Sequence, residues 1–218
     1  VELLRKFVDL FLHLDVHLGQ VIQQYGGLTY GILFAIIFCE TGLVVTPILP
    51  GDSLLFAAGS FAALGSLKVT VLIPLLFCAC LIGDLVNYTI GKFLGNRIFS
   101  NPDSRIFKRE YLERTRAFYA KHGAKTIVMA RFVPIVRTFA PFVAGMGSMR
   151  FRTYIAYCVG GALLWVTVCT GAGYLFGNIP MVKKNFTVVV LAIIVISMLP
   201  GLIGYLRSRK AARAPEAV

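Results

Sequence analysis

The stretch TIVMARFVPIVRTFAPFVAGMG, residues 126–147, is apolar enough for hydrocarbon but is broken by Arg131, Pro134, Arg137 and Pro141. It follows a basic segment, residues 92–125, with nine Lys and Arg against three acids, and it precedes Arg150 and Arg152. Cytoplasmic loops of membrane proteins concentrate Lys and Arg, so the basic segment is expected in the cytoplasm. A full crossing by 126–147 would carry Arg150 and Arg152 to the outside. The two apolar spans that follow, 153–177 and 186–206, would then leave Arg207, Arg209, Lys210 and Arg213 outside as well. If 126–147 enters the membrane and returns on the same side, all three basic clusters are cytoplasmic. Charge parity therefore predicts a re-entrant hairpin.

The rest of the composition agrees with lipid as the solvent. Of 218 residues, 57% are hydrophobic and only 15% charged, against about 45–50% and about 25% in soluble domains. The mean hydropathy is +0.78. A formal net charge of +12 would suggest nucleic acid in a soluble protein. Here the basic residues flank apolar runs, which argues against it. Cys39, Cys78, Cys80, Cys158 and Cys169 all lie in apolar segments without zinc-type spacing and read as small buried hydrophobes. His13 and His17 could share a helix face, but two His alone make a weak metal site, so no metal and no cofactor is expected. The N-terminus lacks a basic region followed by an unbroken apolar core, so no signal peptide is expected.

Residues 28–64 form a second broken apolar stretch. Glu40 lies within it, followed by Pro47, Pro50, Gly51 and Asp52. The piece after the prolines has only 12 residues, where a full span needs about 20. A second hairpin is predicted, with a full span over the piece before the break as the alternative. Residues 2–24 carry a helical apolar stripe that suits a helix lying in the interface, ended by Tyr25-Gly26-Gly27. Residues 69–90 read as a full span.

The organisation is thus an all-α, polytopic membrane protein. Residues 1–27 are an interfacial helix. Residues 28–206 are a single transmembrane domain, with hairpins 28–64 and 126–147 and spans 69–90, 153–177 and 186–206. Residues 207–218 are a basic tail. Gly65-Ser66-Leu67 and Val69 match Gly147-Ser148-Met149 and Phe151, and the same offset pairs Gly91 with Gly173. Ala57-Ala58-Gly59 likewise matches Val143-Ala144-Gly145. One full span separates the copies, so they form an inverted repeat with two opposed re-entrant hairpins, an architecture that transporters use.

Glu40, Asp52, Asp84, Arg131 and Arg137 lie within apolar segments. Each charge at bilayer depth costs about 2.5–3.5 kcal/mol on insertion scales, so each is expected to face a partner or a wet cavity. Two acids lie in the first broken segment and two arginines in the second, so meeting hairpin tips would bring opposite signs together. The bland reading is a salt-bridge brace. The functional one is a site: guanidinium forks match phosphate geometry, and a carboxylate drawn one way by desolvation and the other by arginine can exchange a proton. Asp84, with Asn87 and Tyr88, reads equally well as a polar helix end reaching the interface. Trp165 is expected to be lipid-facing or interfacial.

At these residues the chain resembles a known family. Glu40-Thr41-Gly42, Pro47, Pro50-Gly51-Asp52, Gly83-Asp84, Asn87-Tyr88, Gly91, Arg131-Phe132-Val133-Pro134, Arg137, Pro141 and Ala144-Gly145 are similar to the motifs of the bacterial DedA family, also called the SNARE-associated or VTT-domain family. The resemblance covers roughly residues 20–205. It implies a multi-pass inner-membrane protein with two opposed re-entrant hairpins, linked to the return of undecaprenyl phosphate or other phospholipids across the membrane and to proton motive force. By motif position, Glu40, Asp52, Arg131 and Arg137 match the family's essential acids and arginines.

The expectation is a flippase for a lipid phosphate, most specifically undecaprenyl phosphate. Arg131 and Arg137 would bind the phosphate and Glu40 and Asp52 carry protons, with Pro47, Pro50, Gly51, Asp84, Pro134 and Pro141 in support. An uncoupled phospholipid scramblase is the alternative. An intramembrane lipid phosphatase or a structural assembly protein ranks lower, and the chain is expected not to be an enzyme. Its partners would be the lipid phosphate, membrane lipids and protons, with a homodimer left open. The C-terminus is expected in the cytoplasm.

Overall fold

The computed structural model describes residues 14–43, 51–98, 123–132, 134–147, 149–177, 179–186, 188–189 and 191–193. Pro47, Pro50, residues 1–13, most of the basic segment 92–125, most of the last predicted span and the tail lie outside them. The described residues are helical, with no strand among them.

Helix length separates two kinds of element. α1 (Leu14–Tyr25) ends where Gly26 takes a φ of +50°, a left-handed conformation that glycine adopts without a Cβ clash. A 3-10 turn (Gly26–Leu28) leads into α2 (Thr29–Gly42). Together Val16–Gly42 make an apolar helical run of 27 residues, bent at this glycine. α4 (Val69–Ile98) and α7 (Phe151–Phe176) are apolar over 26 residues each. At 1.5 Å per residue such runs reach about 40 Å, enough to cross a hydrocarbon core of about 30 Å. α4 continues to Ile98, so residues 92–98 of the basic segment are its last turns. By contrast, α3 (Gly51–Ala63) and α6 (Pro134–Met146) have 13 residues each. Their length of about 20 Å reaches only part of the way across.

Proline sets the start of α6. Pro134 is its first residue, where the missing N–H costs nothing. The short helix α5 (Lys125–Ala130) precedes it, and Arg131 sits in the turn between them. Pro141 inside α6 removes the i→i+4 bond that the Arg137 carbonyl would otherwise accept. α8 (Pro180–Lys184) follows α7.

The short helices pack on the long ones, α3 on α7 and α6 on α4, and α2 also packs on α4. Glycine permits each contact. A Cβ on Gly59 would strike the Thr170 carbonyl of α7, and one on Gly173 would strike the Phe56 carbonyl of α3. On the other side, Gly91 of α4 lies against the Phe142 carbonyl of α6, and Gly145 of α6 against the Tyr88 carbonyl of α4. Gly42 and Gly83 bring α2 and α4 together at backbone distance. In lipid, helices gain little from hiding apolar surface from one another, and close approach of this kind supplies the van der Waals energy instead. Ser60 Oγ reinforces the α3–α7 crossing by donating to the Gly173 carbonyl at 3.2 Å.

Leu33, Ile37, Leu55, Leu72, Leu76 and Trp165 fill the main core. The outer faces of α4 and α7 leave Val71, Ile82, Leu163, Leu164, Val168 and Leu175 exposed. Faces of that kind suit hydrocarbon rather than water.

Candidate functional site

Three helix ends converge on one guanidinium. Glu40 stands in the last turn of α2, Asp52 is the second residue of α3, and Arg137 lies in the first turn of α6. Arg137 Nη1 donates to Asp52 Oδ1 at 2.8 Å, and its Nη2 donates to Glu40 Oε1. Neutralising charge this way is what a buried arginine requires, since an unpaired ion in low dielectric costs several kcal/mol. The Gly51 N–H donates to Glu40 Oε1 at 3.1 Å. A Cβ at Gly51 would overlap that carboxylate, which gives the glycine of the Pro-Gly-Asp sequence its reason.

Trp165 of α7 completes this centre. Its Nε1–H donates to Asp52 Oδ1 at 2.6 Å, and its ring lies under the Arg137 guanidinium, 4.6 Å from Cζ to centroid. The ring face adds cation–π attraction. The expectation of a lipid-facing tryptophan is therefore corrected: Trp165 is buried and polar-bonded. Access to the cluster is uneven. The Glu40 and Arg137 side chains are 1% and 6% exposed, but that of Asp52 is 16% exposed. Glu40 Oε2 and Arg137 Nε are buried without a hydrogen-bond partner among the described residues.

Arg131 is engaged elsewhere. Its Nη2 pairs with Asp84 Oδ2, Nη1 donates to Cys80 Sγ at 2.8 Å, and Nη2 also reaches Cys158 Sγ at 3.2 Å. The Cys158 thiol donates to Asp84 Oδ2 at 3.4 Å, and the Tyr154 hydroxyl donates to the Asp84 carbonyl at 3.0 Å. Gly161 of α7 leaves the space that the Arg131 side chain occupies. Asp84 is thus no interfacial helix end: it is buried and salt-bridged. The two arginines, six residues apart, are held by different acids, so only Arg137 meets the acids of the first broken segment.

Asn87, one turn beyond Asp84, joins the elements. Its Nδ2 donates to the Thr41 carbonyl at 2.9 Å and to the Thr138 carbonyl at 2.8 Å. It therefore clamps the residue after Glu40 to the residue after Arg137. Sequence reading missed this role, although Asp84 and Asn87 lie at i and i+3 on one helix face. It also missed Trp165, whose partners come from α3 and α6 and leave no local signal, and the polar use of Cys80 and Cys158.

Replacing Trp165 by Phe keeps a ring beneath Arg137 but removes the donor to Asp52. A hydrogen bond to a charged group contributes about 1.5–3 kcal/mol, so thermal unfolding in detergent should show a loss of that order. Trp165→Leu, which also loses the cation–π contact, should be worse. Trp165→Phe as stable as the parent, with only Trp165→Leu destabilised by its cavity, would mean that the indole N–H contributes nothing.

The chain matches the VTT domain over residues 49–175. It is 56% identical over 214 residues to Protein DedA of Escherichia coli (strain K12), covering 97% of this chain and 98% of that one. It is 42% identical over 189 residues to an uncharacterized membrane protein of Mycobacterium tuberculosis (strain ATCC 25618 / H37Rv), covering 85% and 82%. It is 35% identical over 159 residues to the inner membrane protein YqjA of Escherichia coli (strain K12), covering 72% of each. No solved structure matches.

Proposed function

The chain belongs to the VTT-domain, or DedA, family of membrane proteins, and on that premise we propose that it is a multi-pass inner-membrane flippase that moves a lipid phosphate, undecaprenyl phosphate foremost, with proton coupling. The observation that carries this reading is the single Arg137 guanidinium shared by Glu40 and Asp52. One cation faces two carboxylates. The surplus negative charge can be balanced by a proton, and a carboxylate that takes one loosens its hold on the arginine. A lipid phosphate entering beside the partly exposed Asp52 can then occupy the released guanidinium positions. Carboxylate and phosphate compete for the same arginine, and a proton on the carboxylate tips that competition toward the phosphate, which is the minimum needed for coupling. The unpartnered Glu40 Oε2 and Arg137 Nε supply further capacity, since buried polar atoms are rarely left unpaired without a use. Arg131 serves as a second phosphate ligand when Asp84 yields it.

The reciprocal glycine crossings support an inverted repeat. α3 of one half packs on α7 of the other, and α6 packs on α4 in the same manner. α3 and α6 are too short to cross and begin at a charged cluster, which supports re-entrant segments meeting inside the membrane, whereas α2 ends a run, Val16–Gly42, long enough to cross. The lipid tail stays in hydrocarbon while the headgroup passes, which avoids a loss of about 0.8 kcal/mol per methylene. The positive-inside rule places Lys92, Lys125, Arg150, Arg152 and the C-terminus in the cytoplasm.

Reconstituted vesicles test the reading. Flux of undecaprenyl phosphate should accelerate when a pH gradient is imposed, and Glu40→Gln should abolish that response. Flux indifferent to the gradient would favour an uncoupled scramblase. Release of inorganic phosphate from the lipid in the same vesicles would turn the reading to a lipid phosphatase.

A further inference from the structure

Away from the charge clusters, the end of α4, the end of α6 and the start of α7 enclose an open groove of about 500 Å³, lined by Tyr88, Lys92, Phe93, Met149, Arg150 and Phe151. Its wall is built by Tyr88, whose hydroxyl donates to the Met149 carbonyl at 2.8 Å and whose ring packs against Phe151 at 5.8 Å between centroids. Lys92 and Arg150 are exposed, and neither pairs with an acid among the described residues. Phe93 is 71% exposed and Phe151 52%.

Depth identifies what this groove meets. Lys92 lies about 35 Å along α4 from Val69, at 1.5 Å per residue, which is the far edge of a hydrocarbon core of about 30 Å. Arg150 immediately precedes α7, so it marks the same edge. Lipid phosphates sit at this level, and aromatic and basic side chains gather there. A small soluble anion would have no use for the Phe93 and Met149 walls. A phospholipid would use both: its phosphate meets the cations, and its glycerol and first methylenes meet the apolar wall.

We propose that this groove is a binding site for an anionic phospholipid of the surrounding bilayer, with its phosphate between Lys92 and Arg150. The two cations select a lipid of net negative charge over a zwitterionic one. The site rests on the membrane location alone and does not depend on the transport reading.

Native mass spectrometry of the full chain tests it, with dioleoyl phosphatidylglycerol and dioleoyl phosphatidylcholine as probes. Phosphatidylglycerol should be retained in preference to phosphatidylcholine. Lys92→Gln with Arg150→Gln should weaken phosphatidylglycerol retention by about 25-fold, or about fivefold per cation near a membrane surface, and leave phosphatidylcholine unchanged. Arg152→Gln, exposed but outside the groove, should have no effect of that size. Wild-type retention by the double variant would overturn the site, as would an equal loss in Arg152→Gln, which would mean diffuse surface attraction. Loss of phosphatidylglycerol in Arg137→Gln but not in the double variant would overturn it too, and would move binding to the central cluster. A change in oligomer mass without a change in lipid would assign the groove to a second copy instead. Should the double variant fail to fold, raising salt on the parent protein decides: phosphatidylglycerol should be released and phosphatidylcholine kept, and retention that ignores salt overturns the proposal.

Discussion

Arg137→Met is expected to cost about 3–5 kcal/mol of stability, the range for removing one partner of a buried ion pair, and to abolish lipid flux. The variant leaves Glu40 and Asp52 facing each other without a cation, and Trp165 without the charge above its ring. Against a total stability of about 5–15 kcal/mol, the membrane should hold much less protein and the melting temperature should fall steeply. Adding Glu40→Gln and Asp52→Asn removes the stranded charges and should recover accumulation, because a neutral hydrogen-bonded cluster no longer needs the arginine. Flux should stay absent. Recovery of flux in the triple variant would reduce the cluster to a brace. Arg137→Lys is milder. Its ammonium keeps the charge but lacks the planar fork that serves Asp52 and Glu40 from separate nitrogens. One lost charge-assisted bond, about 1.5–3 kcal/mol, predicts roughly a tenfold or greater loss in phosphate binding at normal protein level.

Gly91→Val and Gly173→Val should be nearly as damaging, for a reason unrelated to charge. Each would drive a side chain into a carbonyl of the crossing helix, Phe142 of α6 or Phe56 of α3. Backbone cannot rotate aside as a side chain can, so the helices must separate. Overpacking typically costs about 1–3 kcal/mol and occasionally more, and these positions belong at the upper end. Separation also displaces Arg137 or Asp52, so flux should fall further than stability alone requires. The comparison lies on α7 itself. Gly160 and Gly171 have no atom within 4 Å of an added Cβ, and Gly→Ala there should be neutral or stabilising by up to about 1 kcal/mol from helix propensity. Melting curves of the four purified variants in one detergent give the test. Gly91→Val melting with the two alanine variants would show that α4 and α6 are not this close.

Much of the site was legible before any fold was known, and the reason is local. Charges within apolar runs are conspicuous because each is costly there, so Glu40, Asp52, Asp84, Arg131 and Arg137 could be singled out residue by residue. The pairing was not legible. Arg131 and Arg137 are six positions apart, and the natural reading makes them one clamp. In the structure Arg131 turns to Asp84 and the two thiols, and Arg137 alone serves the acids of the first broken segment. Cys80 and Cys158 show the same limit, since apolar context makes a cysteine look inert, whereas both contact the Arg131 guanidinium.

Local sequence determined the solvent and which apolar segments are continuous and which are broken. It did not determine every helix end, since α4 runs on to Ile98 and Val16–Gly42 joins two segments that read separately. Hydropathy, proline and glycine act over a few residues, and they alone separate 26-residue helices from 13-residue ones. Tertiary structure decided which charge meets which. Arg137 and Glu40 are 97 residues apart, Arg131 and Asp84 47, Trp165 and Asp52 113, and Ser60 and Gly173 113. No periodicity reaches that far. The partners are chosen where α3 crosses α7 and α6 crosses α4, and those crossings exist because glycine lets two backbones touch, in a solvent where packing rather than escape from water holds helices together.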